Sequence, residues 1–342
     1  MEFPQLRAEV LTAVATGIKM DEGELPFSRW FGESVTENVR GDVAKWDEVQ
    51  PIRTLDTAFE GREGVATVTD PGSVKQRAAG MYVSFKKRLI KPEIFDQMRA
   101  VGGTDANVAS AEQSLRLMIG DMMRRHYHEK MEYLIVSALL DNQSVTIGKE
   151  TITPDFGLPG SHDLTAAASW ATSTTDIDGD IETIKRLVAE DSGRAVTDVL
   201  CGRNIFGYLR KNDTIKGWFQ AREGAPGDFA AMQGDSLSLF GLNWRTFRHG
   251  YVASGPTWTP YLPDDTIIVC PKPDLTWFRR QRGEVQYPNS TYGTVADFAK
   301  VNGVAAWARL KDEPPSAVYF QRWAELAIPV FPSAYCVMDV TP

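Results

Sequence analysis

The stretch that most limits what this chain can fold into is a ribbon. From Ile52 to Asp70 the residues are rich in Thr, Val and Gly, the chain turns at Asp70-Pro71-Gly72-Ser73, and a second run follows from Met81 to Ile90. Proline presets the backbone of such a turn and glycine accepts its positive dihedral. In the second run Met81, Val83, Phe85 and Leu89 fall on one side and Tyr82, Ser84, Lys86 and Arg88 on the other, the period of a strand. The two runs read as one long hairpin. An arm of about 18 residues at ~3.3 Å each reaches roughly 60 Å, and two strands alone are marginally stable in water. Such a ribbon needs a surface to lie on.

Its charge suggests whose surface that is. Lys75, Arg77, Lys86, Lys87, Arg88 and Lys91 meet no Asp or Glu between Pro71 and Pro92, while the whole chain carries a net charge of -8. A basic ribbon in an acidic protein points to docking on another copy. The contact residues expected in this loop are Lys75, Arg77, Tyr82, Lys86, Lys87 and Arg88. Residues 1 to 50 hold ten acidic and five basic residues with scattered aromatics, and read as an extended arm. Such an arm cannot bury Phe27, Trp30 and Phe31 against itself, so these side chains are expected on the body or, as inter-subunit contacts, on a neighbour.

A long helix follows. Leu115, Met118, Ile119, Met122, Met131, Leu134, Ile135 and Ala138 recur at three- and four-residue spacing between Val108 and Leu140, with no Pro and one interior glycine, Gly120. At 1.5 Å per residue this spine would be roughly 50 Å long. Ser144 to Ile152 reads as a strand pair around Gly148. A mixed α/β region then begins with a helix from Asp176 to Val188, closed by Gly193, a buried strand from Val196 to Cys201 and a helix from Asn204 to Arg210. Residues 222 to 236 read as a surface loop, Trp244 to Phe247 and Thr266 to Cys270 as strands, and Leu326 to Val340 as a β-rich ending.

Reactive constellations are scarce. Ser161-His162-Asp163 has the residue types of a catalytic relay, but consecutive side chains diverge where a relay needs convergence. His126 and His128, two apart on a helix, point to different faces and do not make a metal pair; a solvated face with an Arg125–Glu129 pair is expected instead. Asp264-Asp265 just before a strand reads as a turn and not as an ion site. No phosphate loop or dinucleotide fingerprint occurs, and Lys86-Lys87-Arg88 alternates across a strand, so it makes no continuous nucleic-acid patch. Cys201, Cys270 and Cys336 are too far apart for a zinc pair or a disulfide framework. No catalytic residue, cofactor or metal is expected. Neither a secretory leader nor a run of the roughly 20 apolar residues that spans a bilayer is read in the sequence.

The order of arm, two-stranded extension, spine helix, α/β region and closing strand resembles the HK97-type capsid fold, in particular the lambda-like major capsid protein E family. Phe27-Ser28-Arg29-Trp30-Phe31-Gly32-Glu33-Ser34 is similar to that family's aromatic N-terminal segment. Tyr261-Leu262-Pro263-Asp264-Asp265-Thr266-Ile267-Ile268-Val269 resembles its Leu-Pro-Asp approach to a strand, Ala327-Ile328-Pro329-Val330-Phe331-Pro332 its closing strand, and Asp180 to Trp218 its axial domain. The resemblance implies an α+β fold with an arm at 1–50, an extended loop at 51–95, a peripheral domain with the spine helix at 96–170 and 320–342, and an axial domain at 171–319.

By the same resemblance the chain is a major capsid protein that self-assembles into hexamers and pentamers of an icosahedral phage head around double-stranded DNA. A rounder precursor expands on maturation, and scaffolding protein, portal protein and a decoration protein are its expected partners. Assembly would take place in the host cytoplasm, and the product is the virion. Lys75, Lys86 and Lys87 stand where some HK97-type shells crosslink to an asparagine; lambda-type relatives generally do not, so no crosslink is expected. Two other readings remain open at this point, an encapsulin-type compartment shell of the same fold and a hydrolase using His162 or Asp264-Asp265.

Overall fold

A computed structural model describes residues 8–17, 26–41, 43–49, 74–90, 105–141, 143, 145–147, 150–221, 236–252, 256–288, 298–311 and 316–342. In chain order the elements are α1 (Ala8–Gly17), α2 (Pro26–Trp30), β1 (Thr36–Asn38), β2 (Val43–Val49), β3 (Val74–Gly80) and β4 (Tyr82–Ile90). The spine comes next: α3 (Asp105–Met123), a π-helical turn (Arg124–His128) and α4 (Glu129–Leu139). After it come β5 (Val145–Ile147), β6 (Glu150–Ile152), β7 (Asp163–Thr165), α5 (Ile177–Ser192), β8 (Asp198–Cys201), α6 (Ile205–Lys211) and α7 (Asp213–Ala221). The remainder is β: β9 (Ser236–Leu239), β10 (Leu242–Thr246), β11 (Gly250–Val252), β12 (Trp258–Pro260), β13 (Thr266–Cys270), β14 (Phe278–Arg282), β15 (Glu284–Pro288), β16 (Phe298–Asn302), β17 (Val304–Lys311), β18 (Ser316–Pro329) and β19 (Cys336–Asp339).

Two sheets organise these elements. The first runs β7-β19-β13-β8-β10-β9. Its central strands β8 and β13 are buried at every position. The reason lies in their alternation: Val199, Cys201, Ile267 and Val269 pack with Ile177, Ile181, Ile184 and Val188 of α5, while Leu200, Ile268 and Cys270 join the core that holds the spine. A strand covered on both faces must be apolar on both, which is why β13 reads Thr-Ile-Ile-Val-Cys. Helix α5 begins where Asp176 Oδ1 accepts from Gly179 N at 3.0 Å and ends at Gly193, with φ 69°.

The second sheet is built on the fourteen-residue strand β18. One edge takes β4, in register from Ala317↔Ile90 to Glu325↔Tyr82. The other edge takes β17 and β14 end to end, with Gly283 N bonding Ala324 O and Ala324 N bonding Gly303 O between them; β1 lies parallel to β14. Gly303 has φ +87°, a conformation glycine adopts without strain, and there the β15–β16 hairpin leaves the sheet. The spine covers one face of β18.

Several sequence expectations change here. The ribbon is paired differently: β2 is the partner of β3, from Val43↔Gly80 to Val49↔Val74, and β4 departs to β18. Residues 52–70 and the turn 70–73, expected to pair with 81–90, lie outside the described residues. The divide falls at Met81, whose sulfur fills the space left by the missing side chain of Gly283, pinning the chain to the sheet just where the ribbon ends. Residues 8–17 and 26–49 are no extended arm. Helix α1 caps the edge of β17, where Thr12 Oγ1 donates to Ala306 O at 2.9 Å and accepts from Ala306 N at 3.0 Å. Contiguous boundaries do not separate the two sheets either: β14, within 171–319, belongs to the second, and β7 and β19, within 96–170 and 320–342, belong to the first.

The expected Arg125–Glu129 pair is replaced as well. Arg125 Nε reaches Asp121 at 2.8 Å, and Glu129 is met by Arg124 Nε at 3.4 Å. The π turn widens the helix to five residues per bonded step, which moves Glu129 from its i−4 neighbour to its i−5 neighbour. The strands 145–147 and 150–152 pair as expected. The surface loop read at 222–236 falls almost wholly outside the described residues.

Candidate assembly surface and the docked N-terminal segment

Helix α2 is held at both ends by side chains from distant elements. Phe27 N and Ser28 N donate to Glu132 Oε2 and Oε1 at 3.1 and 3.0 Å, and Arg280 Nη1 donates to Phe31 O at 3.0 Å. A carboxylate at the amino end and a guanidinium at the carboxyl end match the helix dipole, so a five-residue helix that would not persist alone is fixed. Glu132 is fully buried on the inner face of α4, and burial pushes its carboxyl up to about 7, against the pull of the two backbone N–H groups and Arg280.

Arg280 is shared with a second buried acid. Its Nε and Nη2 lie 2.8 and 2.7 Å from Glu325 Oε1, Tyr127 OH donates to Glu325 Oε2 at 2.7 Å, and Arg282 Nε is 3.5 Å from the same oxygen. Both carboxylate oxygens are therefore occupied. His128, beside this cluster, is driven down to about 4 by burial and by Arg280. The cluster ties the spine, β14, β18 and the N-terminal segment together.

Each residue expected in a contact now has a place. Phe27 and Phe31 are fully buried in this chain's own core, Phe27 stacked on Phe247 with centroids 4.1 Å apart and Phe31 tilted on Phe278 at 4.1 Å. Of the two destinations expected for them, the body is the one they occupy, which corrects their assignment as neighbour contacts. Trp30 is partly buried, edge-on to Phe31. Tyr82 is corrected too: it is buried, its hydroxyl donates to Gln143 Oε1 at 3.3 Å, and burial raises it to about 12.

Arg77 Nη1 donates to Asp155 O at 3.0 Å, its guanidinium lying over Gly157, and Arg88 Nη1 meets Asp121 Oδ2 at 2.5 Å. The tertiary structure thus supplies the acids that the local sequence lacks. Lys86 and Lys87 are exposed on opposite sides of β4, and Lys75 lies on β3 across from Glu48. Strand β4 keeps its period of two, but the polar side faces the spine. The apolar side faces outward: Val83, Phe85 and Leu89 are 38, 55 and 55% exposed.

The groups with reactive potential are tied into the scaffold. His162 is buried with Nδ1 2.7 Å from Tyr335 O and Nε2 2.9 Å from Asp191 Oδ2, while Ser161 and Asp163 are exposed. Asp264 receives both Arg203 Nε and Nη2, at 2.6 and 2.5 Å; Asp265 accepts from Asn204 Nδ2 and Tyr208 OH at 2.9 and 2.7 Å. These acids hold the start of α6 to the approach of β13. Burial raises all three cysteine thiols, and each is free.

Glu132, Arg280 and Glu325 were not singled out by sequence reasoning. A signal existed for Glu132, a carboxylate set within the stripe Met131, Leu134, Ile135. Glu325 likewise interrupts the apolar run Ala324 to Ile328.

Comparison with known proteins now adds to this geometry. No curated protein matches the sequence. Among solved structures, a protein assigned as a capsid protein of a prophage in E. coli CFT073 superposes with TM-score 0.63 at 16% identity, covering 98% of this chain and 99% of that one. A phage-related protein from Bordetella bronchiseptica RB50 gives 0.55 at 12% identity over 98% and 97%. The capsid asymmetric unit of cyanophage A-1(L) gives 0.53 at 12% identity over the full length of both chains. The sequence profile described as phage major capsid protein E matches residues 53–320. Matched in sequence over most of its length and in architecture from end to end, this chain belongs to the phage major capsid protein E family and has the HK97-like capsid fold.

Proposed function

We propose that copies of this chain close into six- and five-subunit rings that tile an icosahedral head around double-stranded DNA. The observation supporting it is the β2–β3 ribbon. Its base is rooted by Ala44 and Trp46 in the core, Trp46 tilted on Phe156 at 6.3 Å, yet its two strands pair only with each other among the described residues. A two-stranded sheet gains stability by lying on something else, and a neighbouring subunit is always at hand in a shell. Lys75, Lys86 and Lys87 are the loop cations assigned to that contact, with Trp30 at the rim of the N-terminal segment.

The role is structural and not enzymatic, since the groups a hydrolase would need, His162 and the Asp264-Asp265 pair, are consumed by internal bonds. The six-stranded sheet with its helices is the axial body, and the β18 sheet with the spine is the peripheral one. The net charge of -8 suits a wall along which DNA slides, because phosphate binding needs clustered cations. Scaffolding, portal and decoration proteins would meet this shell during assembly in the host cytoplasm, and ribbon and N-terminal segment would change partners as a rounder precursor expands.

The test is assembly. Purified, overexpressed protein viewed by negative-stain microscopy is expected to form closed particles. Val49 faces Val74, so joining them through Asn-Gly in place of residues 50–73 preserves the β2–β3 register. That variant is expected to give soluble subunits that do not close. Closed shells of wild-type yield from it would make the extended loop dispensable.

A further inference from the structure

We propose that the outward face of β4 and its open edge form a docking surface for a second copy of this chain. This rests on the capsid reading and goes further, because it names the receiving surface. β4 joins β18 by one edge; along the other, no strand pairs with it among the described residues. Nine residues of strand with an open edge invite pairing by another chain.

The face argues the same way. Val83, Phe85 and Leu89 project from it, and Phe85 stacks at 5.6 and 5.7 Å on Trp307 and Phe320, which stack on each other at 5.6 Å. The β15–β16 hairpin covers this face only in part, through Val285, Tyr287, Ala299 and Val301. Contiguous exposed apolar surface of this kind marks an interaction site.

Charge identifies the occupant. Register places Lys87, Arg309 and Arg322 on this same face with the apolar residues and puts no acid among them. The opposite side of β4 is already satisfied within the chain, with Arg88 on Asp121 and Lys130 Nζ donating to Ser84 Oγ at 3.2 Å. An apolar face rimmed by cations complements an acidic protein, and a second copy, at net charge -8, is one.

The experiment places p-benzoylphenylalanine at position 85, and separately at 89, in particles assembled from this chain alone. Irradiation is expected to give covalent dimers whose mapped peptides join that position to another copy. Intact particles that yield no inter-copy crosslink would overturn the proposal, as would full heads in which the probe captures a different head protein. Independently, Phe85→Glu with Leu89→Glu is expected to keep the unfolding temperature of the unassembled subunit and lower particle yield at least tenfold. Wild-type yield from that variant defeats the docking surface and leaves the capsid reading intact; absence of particles from the unaltered chain defeats the capsid reading itself.

Discussion

Strands β13 and β4 sit in the same subunit and differ in how much of their burial is finished there. β13 has both faces covered by its own chain, one by α5 and one by the core of the spine. β4 has one face on the spine, one face largely in solvent and one edge open. The difference separates what makes the subunit fold from what makes it join others. A residue covered on both sides contributes to stability at any concentration, whereas an exposed apolar residue contributes only when a partner arrives. The buried charges lie on the unfinished side, where they fasten the N-terminal segment to the sheet.

That contrast can be broken or sharpened by substitution, and the largest effect is expected at the charge cluster. Glu325→Ala leaves Arg280 buried without its partner and is expected to cost about 3–5 kcal/mol, the range for breaking one half of a buried pair. Denaturant unfolding of unassembled subunits measures it, and a loss below about 1 kcal/mol would mean that solvent reaches Arg280. Next is Ile267→Ala in β13, which removes a fully buried side chain and is expected to cost about 2–5 kcal/mol in the same assay.

Glu132 adds a pH signature. Its carboxyl is raised from 4.5 to about 7, so the folded state binds its proton more tightly than the unfolded state does. Its contribution is complete below pH 4.5 and is lost as pH rises through 7, a difference of about 3 kcal/mol at most by linkage. His128 has the opposite sign, contributing above its ordinary 6.5 and losing that as pH falls toward 4. The informative quantity is therefore the difference between wild type and Glu132→Gln, expected to shift in favour of the variant from pH 5 to pH 8. A flat difference would show that Glu132 stays ionised throughout. The smallest effect on the subunit is expected from Phe85→Ser, within about 0.5 kcal/mol of wild type, as for other exposed positions. A cost of 2 kcal/mol would mean that the stack on Trp307 and Phe320 already buries this ring.

Much of the local structure was readable. The spine's stripe, the Asp176 and Gly193 ends of α5, the strands 198–201 and 266–270 and the alternation of β4 all follow from short-range periodicity and capping, and the structure places each close to the expected residues. The pairing of the ribbon was not readable, because local pattern marks a run as a strand but does not name its partner. The pair 43–49 with 74–80 obeys the same alternation as the expected pair 52–70 with 81–90. The Arg125–Glu129 expectation failed for a related reason: spacing rules assume a regular helix, and the π turn is set by Tyr127 and His126 O bonding Glu325 and Trp323 from β18.

By itself the sequence determined which segments are helix or strand, that no evident catalytic constellation is present, and that the order of parts matches a capsid family, since each depends on residues near one another in the chain. Tertiary structure alone decided which side of β4 faces water, that Arg77 and Arg88 find acids at Asp155 and Asp121, and that Glu132 and Arg280 clamp a five-residue helix. These contacts join residues 33 to 249 positions apart. Chain distance says nothing about such meetings; they are fixed only when the sheets close on the spine.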